Sequence, residues 1–85
     1  GKYVVSVNYE RIKGKERIRF KDSGAESYTI VSEKSLHSKL VALKKKYPKK
    51  LYIKIVIPKE SGLTYNEAWT FMKDLLNKYD YYYQD

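Results

Sequence analysis

Cysteine is absent from this 85-residue sequence, histidine and methionine occur once each, and proline occurs twice. Without cysteine there is no disulfide and no thiolate metal site, and the chain is compatible with an oxidising or a reducing compartment. The lone histidine, His37, has no companion ligands, whereas a metal site needs three or four that converge; it reads as a surface or core-edge residue. The four glycines, Gly1, Gly14, Gly24 and Gly62, are too dispersed to cradle a phosphate, and no P-loop, dinucleotide fingerprint or nucleophile elbow occurs. No apolar run approaches the roughly 18 to 20 residues that cross a bilayer, and no signal-peptide core is visible. Asp74, Asp80 and Asp85, or Glu60 and Glu67, are the carboxylates available as acid and base, but nothing in their spacing places two in one pocket, and solvated surface charge is the expectation. The sequence therefore reads as non-enzymatic, with no catalytic residue, cofactor, metal or small-molecule substrate.

What the sequence does hold is an ordinary globular balance, 42% hydrophobic and 33% charged, in a length that supports one domain over residues 1–85 with one modest core. Ten tyrosines stand against one Trp and two Phe. Tyr is amphipathic, so this excess points to half-buried sheet positions or to a contact surface. The chain begins Gly-Lys rather than Met, the expectation for a processed or excised fragment.

Periodicity divides the chain into elements. Tyr3 to Tyr9 alternates around Val5 and Val7 as a strand does, Lys13-Gly14-Lys15 supplies a turn, and Glu16 to Phe20 returns as the second arm of a hairpin. Asp22-Ser23-Gly24-Ala25 marks another turn or a bulge before a short third strand, Ser27 to Val31. Ser32 is an N-cap with Glu33 in the first turn, and Leu36, Leu40, Leu43 and Tyr47 repeat on one helical face until Pro48. Leu51 to Ile57 reads as a strand with Ile53, Ile55 and Ile57 toward the core and Tyr52, Lys54 and Val56 on a partly covered face, ended by Pro58. Thr64 and Glu67 form a capping box, flanked by Leu63 and Ala68 as a staple, at the start of a helix with a broad apolar face. That face holds Ala68, Met72, Leu75 and Tyr79, joined by Trp69, Phe71 and Leu76. Tyr81 to Tyr83 form a short last strand. A helix between strands of one sheet implies a crossover and a parallel pair. The fold expected is α+β: a two-layer sandwich with a mixed four- to five-stranded sheet and two helices on one face.

The net charge of +8 gathers in two places. Arg17, Arg19 and Lys21 line one face of the second strand. Lys44, Lys45, Lys46, Lys49 and Lys50 crowd the end of the first helix. Together they form a candidate anion-binding patch, with phosphate contacts and a steep salt dependence if nucleic acid binds, and a solubilising surface if nothing does. Lysine dominates the second cluster, which favours a diffuse field over bidentate base readout, and the stacking pattern of an RNA-recognition motif is missing.

The segment LYIKIVIPKESGLTYNEAWTFMKDLLNKYDYYYQ, Leu51 to Gln84, resembles the second half of the periplasmic domain of the ExbD and TolR family of proton-driven energy-transducing proteins. There a strand leads through a short loop to Tyr and a helix with a Met-acidic-x-Leu-like stretch, then a final strand. Tyr65, Met72 and Leu75 match, with Lys73-Asp74 where the family often has an acidic residue directly after Met. Tyr3 to Asn8 is similar to the family's first periplasmic strand, and Ser32 to Tyr47 to its first helix. The chain departs from the pattern in Val-Ile-Pro at the strand's end, in Asn77-Lys78-Tyr79 without the usual Gly, and in extra residues between Phe20 and Ser27.

The resemblance implies an N-terminal membrane helix in the full protein that carries the proton-handling Asp, and assembly as dimers with a polytopic partner. It also implies a location on the periplasmic side of the inner membrane, with contacts to periplasmic protein partners or peptidoglycan. A terminal strand of Tyr81, Tyr82 and Tyr83 is then a candidate dimer edge, since an edge strand with aromatic side chains pairs readily with a second copy. The alternatives are a small basic nucleic-acid-binding or phage-type accessory protein, cytoplasmic in that case, and a protein-inhibitor module acting by surface contact.

Overall fold

The computed structural model describes residues 1–78 and 80–84; for residue 76 and for 80–84 it describes the backbone only. Its elements run β1 (Tyr3–Ile12), β2 (Lys15–Lys21), β3 (Thr29–Val31), α1 (Glu33–Lys46), β4 (Leu51–Val56), α2 (Tyr65–Leu76) and β5 (Asp80–Gln84). The five strands form one mixed sheet in the order β3-β2-β1-β4-β5. β1, β2 and β3 are an antiparallel meander, and β4 pairs parallel with both β1 and β5.

The β1–β2 turn has two residues, Lys13 at φ 51° and Gly14 at φ 80°. Two consecutive left-handed residues make the turn whose twist matches that of the flanking strands, and it fixes the register with Ile12 opposite Lys15. That register places Val7 beside Phe20 and Tyr9 beside Ile18, while the parallel pairing sets Val5 beside Ile53 and Val7 beside Ile55. These side chains share one face. They are buried in a single cluster with Leu36 and Leu40 of α1 and Leu75 of α2, so both helices cover the same side of the sheet. The architecture is α+β, as the element pattern implies.

The caps explain where the helices start. The Ser32 hydroxyl accepts from the Ser35 N–H at 3.0 Å, and α1 ends at Tyr47. Thr64 accepts from the Glu67 N–H at 3.1 Å, and the Glu67 carboxylate accepts from the Thr64 N–H at 2.9 Å. Pro48 and Lys49 then turn the chain into β4, closed by the Lys50 N–H on the Tyr47 carbonyl.

β1 is longer than its apolar alternation, extending to Ile12 because the hairpin pairs down to its turn. The third strand is shorter than the 27–31 segment and holds only Thr29–Val31. At the other end of β1, Tyr3 stacks on Tyr47 at 4.0 Å and donates its hydroxyl proton to Asp22, tying the first strand to both turns beneath it.

Candidate functional site

The second face of the sheet has no helix over it. Alternate residues of β1 place Ser6, Asn8 and Glu10 there, opposite Lys21, Arg19 and Arg17 of β2, and β4 adds Lys54 beside Ser6 and Tyr52 beside Val4. Lys2 holds its ammonium 4.3 Å above the Tyr52 ring, and the Lys21 ammonium lies 5.2 Å from the centre of the Tyr28 ring. Ser6 and Glu10 are each only 8% exposed although no element covers them, so the long cationic side chains themselves roof this face.

Glu10 is the pivot of that roof. Its carboxylate accepts from Arg17 at 3.4 Å and from Arg19 in a close contact. One carboxylate thus serves two guanidinium groups, and both Nε atoms stay buried without a protein partner, as does Asn8 Oδ1. The face carries Lys2, Lys15, Arg17, Arg19, Lys21 and Lys54 against Glu10, and the register sets Asp80 of β5 opposite Tyr52 at its far margin. At its β3 side Ile30 is 64% exposed, and Ile12 is also exposed. Ile12, Lys15, Arg17 and Ile30 line a groove of about 300 Å³ there.

The two gatherings of charge read from the sequence belong to different parts of the fold. Arg17, Arg19 and Lys21 belong to the open sheet face. Lys44, Lys45 and Lys46 are exposed at the C-terminal end of α1, in the helix layer, and Lys49 and Lys50 lie in the turn after it. Lys44 donates to the Lys78 carbonyl at 2.8 Å, and the Lys46 ammonium lies 5.6 Å from the Tyr47 ring. Comparison with protein-family models, with curated proteins and with solved structures finds no match.

The backbone of Tyr81, Tyr82 and Tyr83 lies in β5, in register with Ile53, Lys54 and Ile55 of β4, at the end of the sheet. Their side chains lie outside the described residues.

The helix side carries a second feature. A groove of about 300 Å³ between α1, α2 and the hairpin is floored by Tyr9 and Phe71, whose rings stack at 4.0 Å, and rimmed by Glu16, Glu33, Glu67 and Asp74. Glu67 and Asp74 are seven residues apart on α2, two helical turns, so they share one helix face and line one groove, which the expectation of separate solvated carboxylates missed. Burial first, then a hydrogen bond to Glu16 and its negative charge, push the Tyr9 hydroxyl up to about 12. Glu67 is also no solvated charge: Arg11 donates to it at 3.0 Å through one guanidinium nitrogen and makes a close contact through the other. Among the described residues no group of three or more His, Cys, Asp or Glu is placed to hold a metal ion.

Sequence reasoning did not single out Glu10 or Asn8; it placed Arg11 near the basic hairpin and Lys54 on the outer face of its strand without joining Lys54 to the Arg17–Lys21 row or pairing Arg11 with Glu67. A signal for the first two exists. Once Lys13-Gly14 is read as a two-residue turn, the register sets Glu10 opposite Arg17 and Asn8 opposite Arg19. Arg11 and Glu67 are 56 residues apart, and nothing local pairs them.

Proposed function

We propose that this chain is a non-enzymatic interaction domain, the soluble periplasmic part of an ExbD/TolR-like energy-transducing membrane complex. It dimerises and contacts periplasmic protein partners or peptidoglycan. The similarity of Leu51 to Gln84 to that family supports the reading, and one structural observation carries it: β5 stands at the end of the sheet, parallel to β4, with one side of its backbone left for another strand. An edge strand presents a row of unpaired N–H and C=O groups, and β5 holds no Pro and no Lys to blunt it. The opposite edge, β3, has three residues and offers a shorter template. Strand addition at β5 joins two copies without any catalytic group.

Analytical ultracentrifugation tests this directly. The intact chain sediments as a dimer at high concentration, and removal of residues 80–85 yields a folded monomer. A monomer for the intact chain across the accessible concentration range removes the reading, whether or not the shortened chain folds.

A further inference from the structure

We propose that the uncovered face of the sheet docks on an anionic lipid surface. This goes beyond assembly at β5 and rests on a different part of the molecule.

Three observations point to phosphate-bearing partners. Along β2, Arg17, Arg19 and Lys21 recur about every 7 Å, the two-residue repeat of a strand, and Lys54 stands two strands from Lys21, about 10 Å away. This is a flat array of cations in which Glu10 is the one carboxylate whose side chain is described, with Asp80 at the β5 margin opposite Tyr52. The buried Nε atoms of Arg17 and Arg19 have no acceptor within the protein. The two side chains nevertheless stay 36% and 34% exposed, so phosphate oxygens reach their terminal nitrogens and not the enclosed Nε atoms.

Two further observations choose a bilayer over a nucleic acid. The described tyrosines on this face, Tyr28 and Tyr52, each have a lysine ammonium over the ring, so their faces are engaged by cations instead of being open platforms for bases. The second is apolar: exposed Ile30 and Ile12 border the array and share a groove with Lys15 and Arg17. Aliphatic side chains beside cations have no use on a phosphate backbone, but on a bilayer they enter the boundary between headgroups and acyl chains while the cations meet the phosphates. The flat face also lacks a helix to enter a duplex groove.

Co-sedimentation with vesicles rich in phosphatidylglycerol, against vesicles of phosphatidylcholine alone, tests the assignment. The intact chain binds the first and not the second. Lys21→Ala with Lys54→Ala lowers the vesicle partition about 25-fold, roughly fivefold per cation near a charged surface. Lys45→Ala with Lys46→Ala removes the same charge from the exposed end of α1 and lowers it far less. Ile30→Ser weakens vesicle binding and leaves binding to a single-stranded oligonucleotide unchanged. Circular dichroism confirms that each variant is folded, and Ile30→Ser, fully on the surface, serves if the double variant is not. Equal losses for the two lysine pairs, or oligonucleotide binding that depends on Lys21 and Lys54 with no vesicle binding, overturn the proposal.

Discussion

Tyr9 shows how one side chain links the core to the titration of the fold. Its ring is buried against Phe71, and its hydroxyl sits near Glu16 and Glu33, which together with burial raise it to about 12 from the ordinary value near 10. Tyr3 is raised to about 12 as well, chiefly by its hydrogen bond to Asp22. A tyrosine whose value is higher in the folded state stabilises that state in full below pH 10, and the contribution disappears as pH rises through 12. The expected result is a stability that falls between pH 10 and 12 in denaturant titrations, with the fall reduced in Tyr9→Phe and in Tyr3→Phe. Gly62 is the residue whose replacement is geometrically forbidden. Its φ is +75°, and a Cβ there lies 2.6 Å from the Arg11 carbonyl oxygen. The same stretch is strapped to β1 through the Arg11 N–H on the Ser61 carbonyl. Gly62→Ala therefore costs about 2 kcal/mol, visible as a lower urea midpoint with unchanged slope.

At the scale of elements, α2 depends on its cap. Thr64→Ala removes the hydroxyl that accepts from the Glu67 N–H, while the Glu67 carboxylate keeps the Thr64 N–H and Arg11; a loss of about 1 kcal/mol in chemical denaturation is expected. This capping box was legible in the sequence, as were the alternation of β4, the Leu36–Leu40 stripe of α1 and the hairpin. Each is a local pattern whose partners lie within a few residues or whose period reports one buried face. The cations were seen to gather in two places, but the Glu10 cluster, and which layer of the fold each gathering belongs to, were not read from the pattern. They depend on which face of β2 meets solvent and where α1 ends relative to the sheet, and those are consequences of strand order. Arg11 with Glu67 is of the same kind: it exists because the loop after β4 folds back over the end of β1.

Over the whole molecule the charge is unevenly divided. Residues 1–59 hold sixteen Lys or Arg and five Asp or Glu, +11, and residues 60–85 hold two and five, −3. The excess lies on the meander, α1 and β4, while α2 and β5 form the one acidic part. Self-repulsion of this kind weakens the compact state and is screened within about 10 Å at 0.1 M salt. The thermal midpoint should therefore rise as salt is added from low ionic strength, and Lys45→Glu should raise it at low salt by about 3 °C, an effect that fades as salt increases; a midpoint indifferent to both locates the cost of the lysine cluster elsewhere. The central position of β1 has a consequence of another sort. Tyr3 pairs with Leu51 and Val7 with Ile55, so the strand at the heart of the sheet waits for a partner 48 residues further along the chain. During synthesis at about 5–20 residues per second, roughly 2 to 10 seconds separate β1 from β4, and until then Val5 and Val7 have only β2, β3 and Leu36 and Leu40 of α1 to shelter them. The basic β2, joined to β1 by the tight Lys13-Gly14 turn, is then the nascent chain's first companion, and its like charges hold neighbouring unfinished chains apart until β4 arrives.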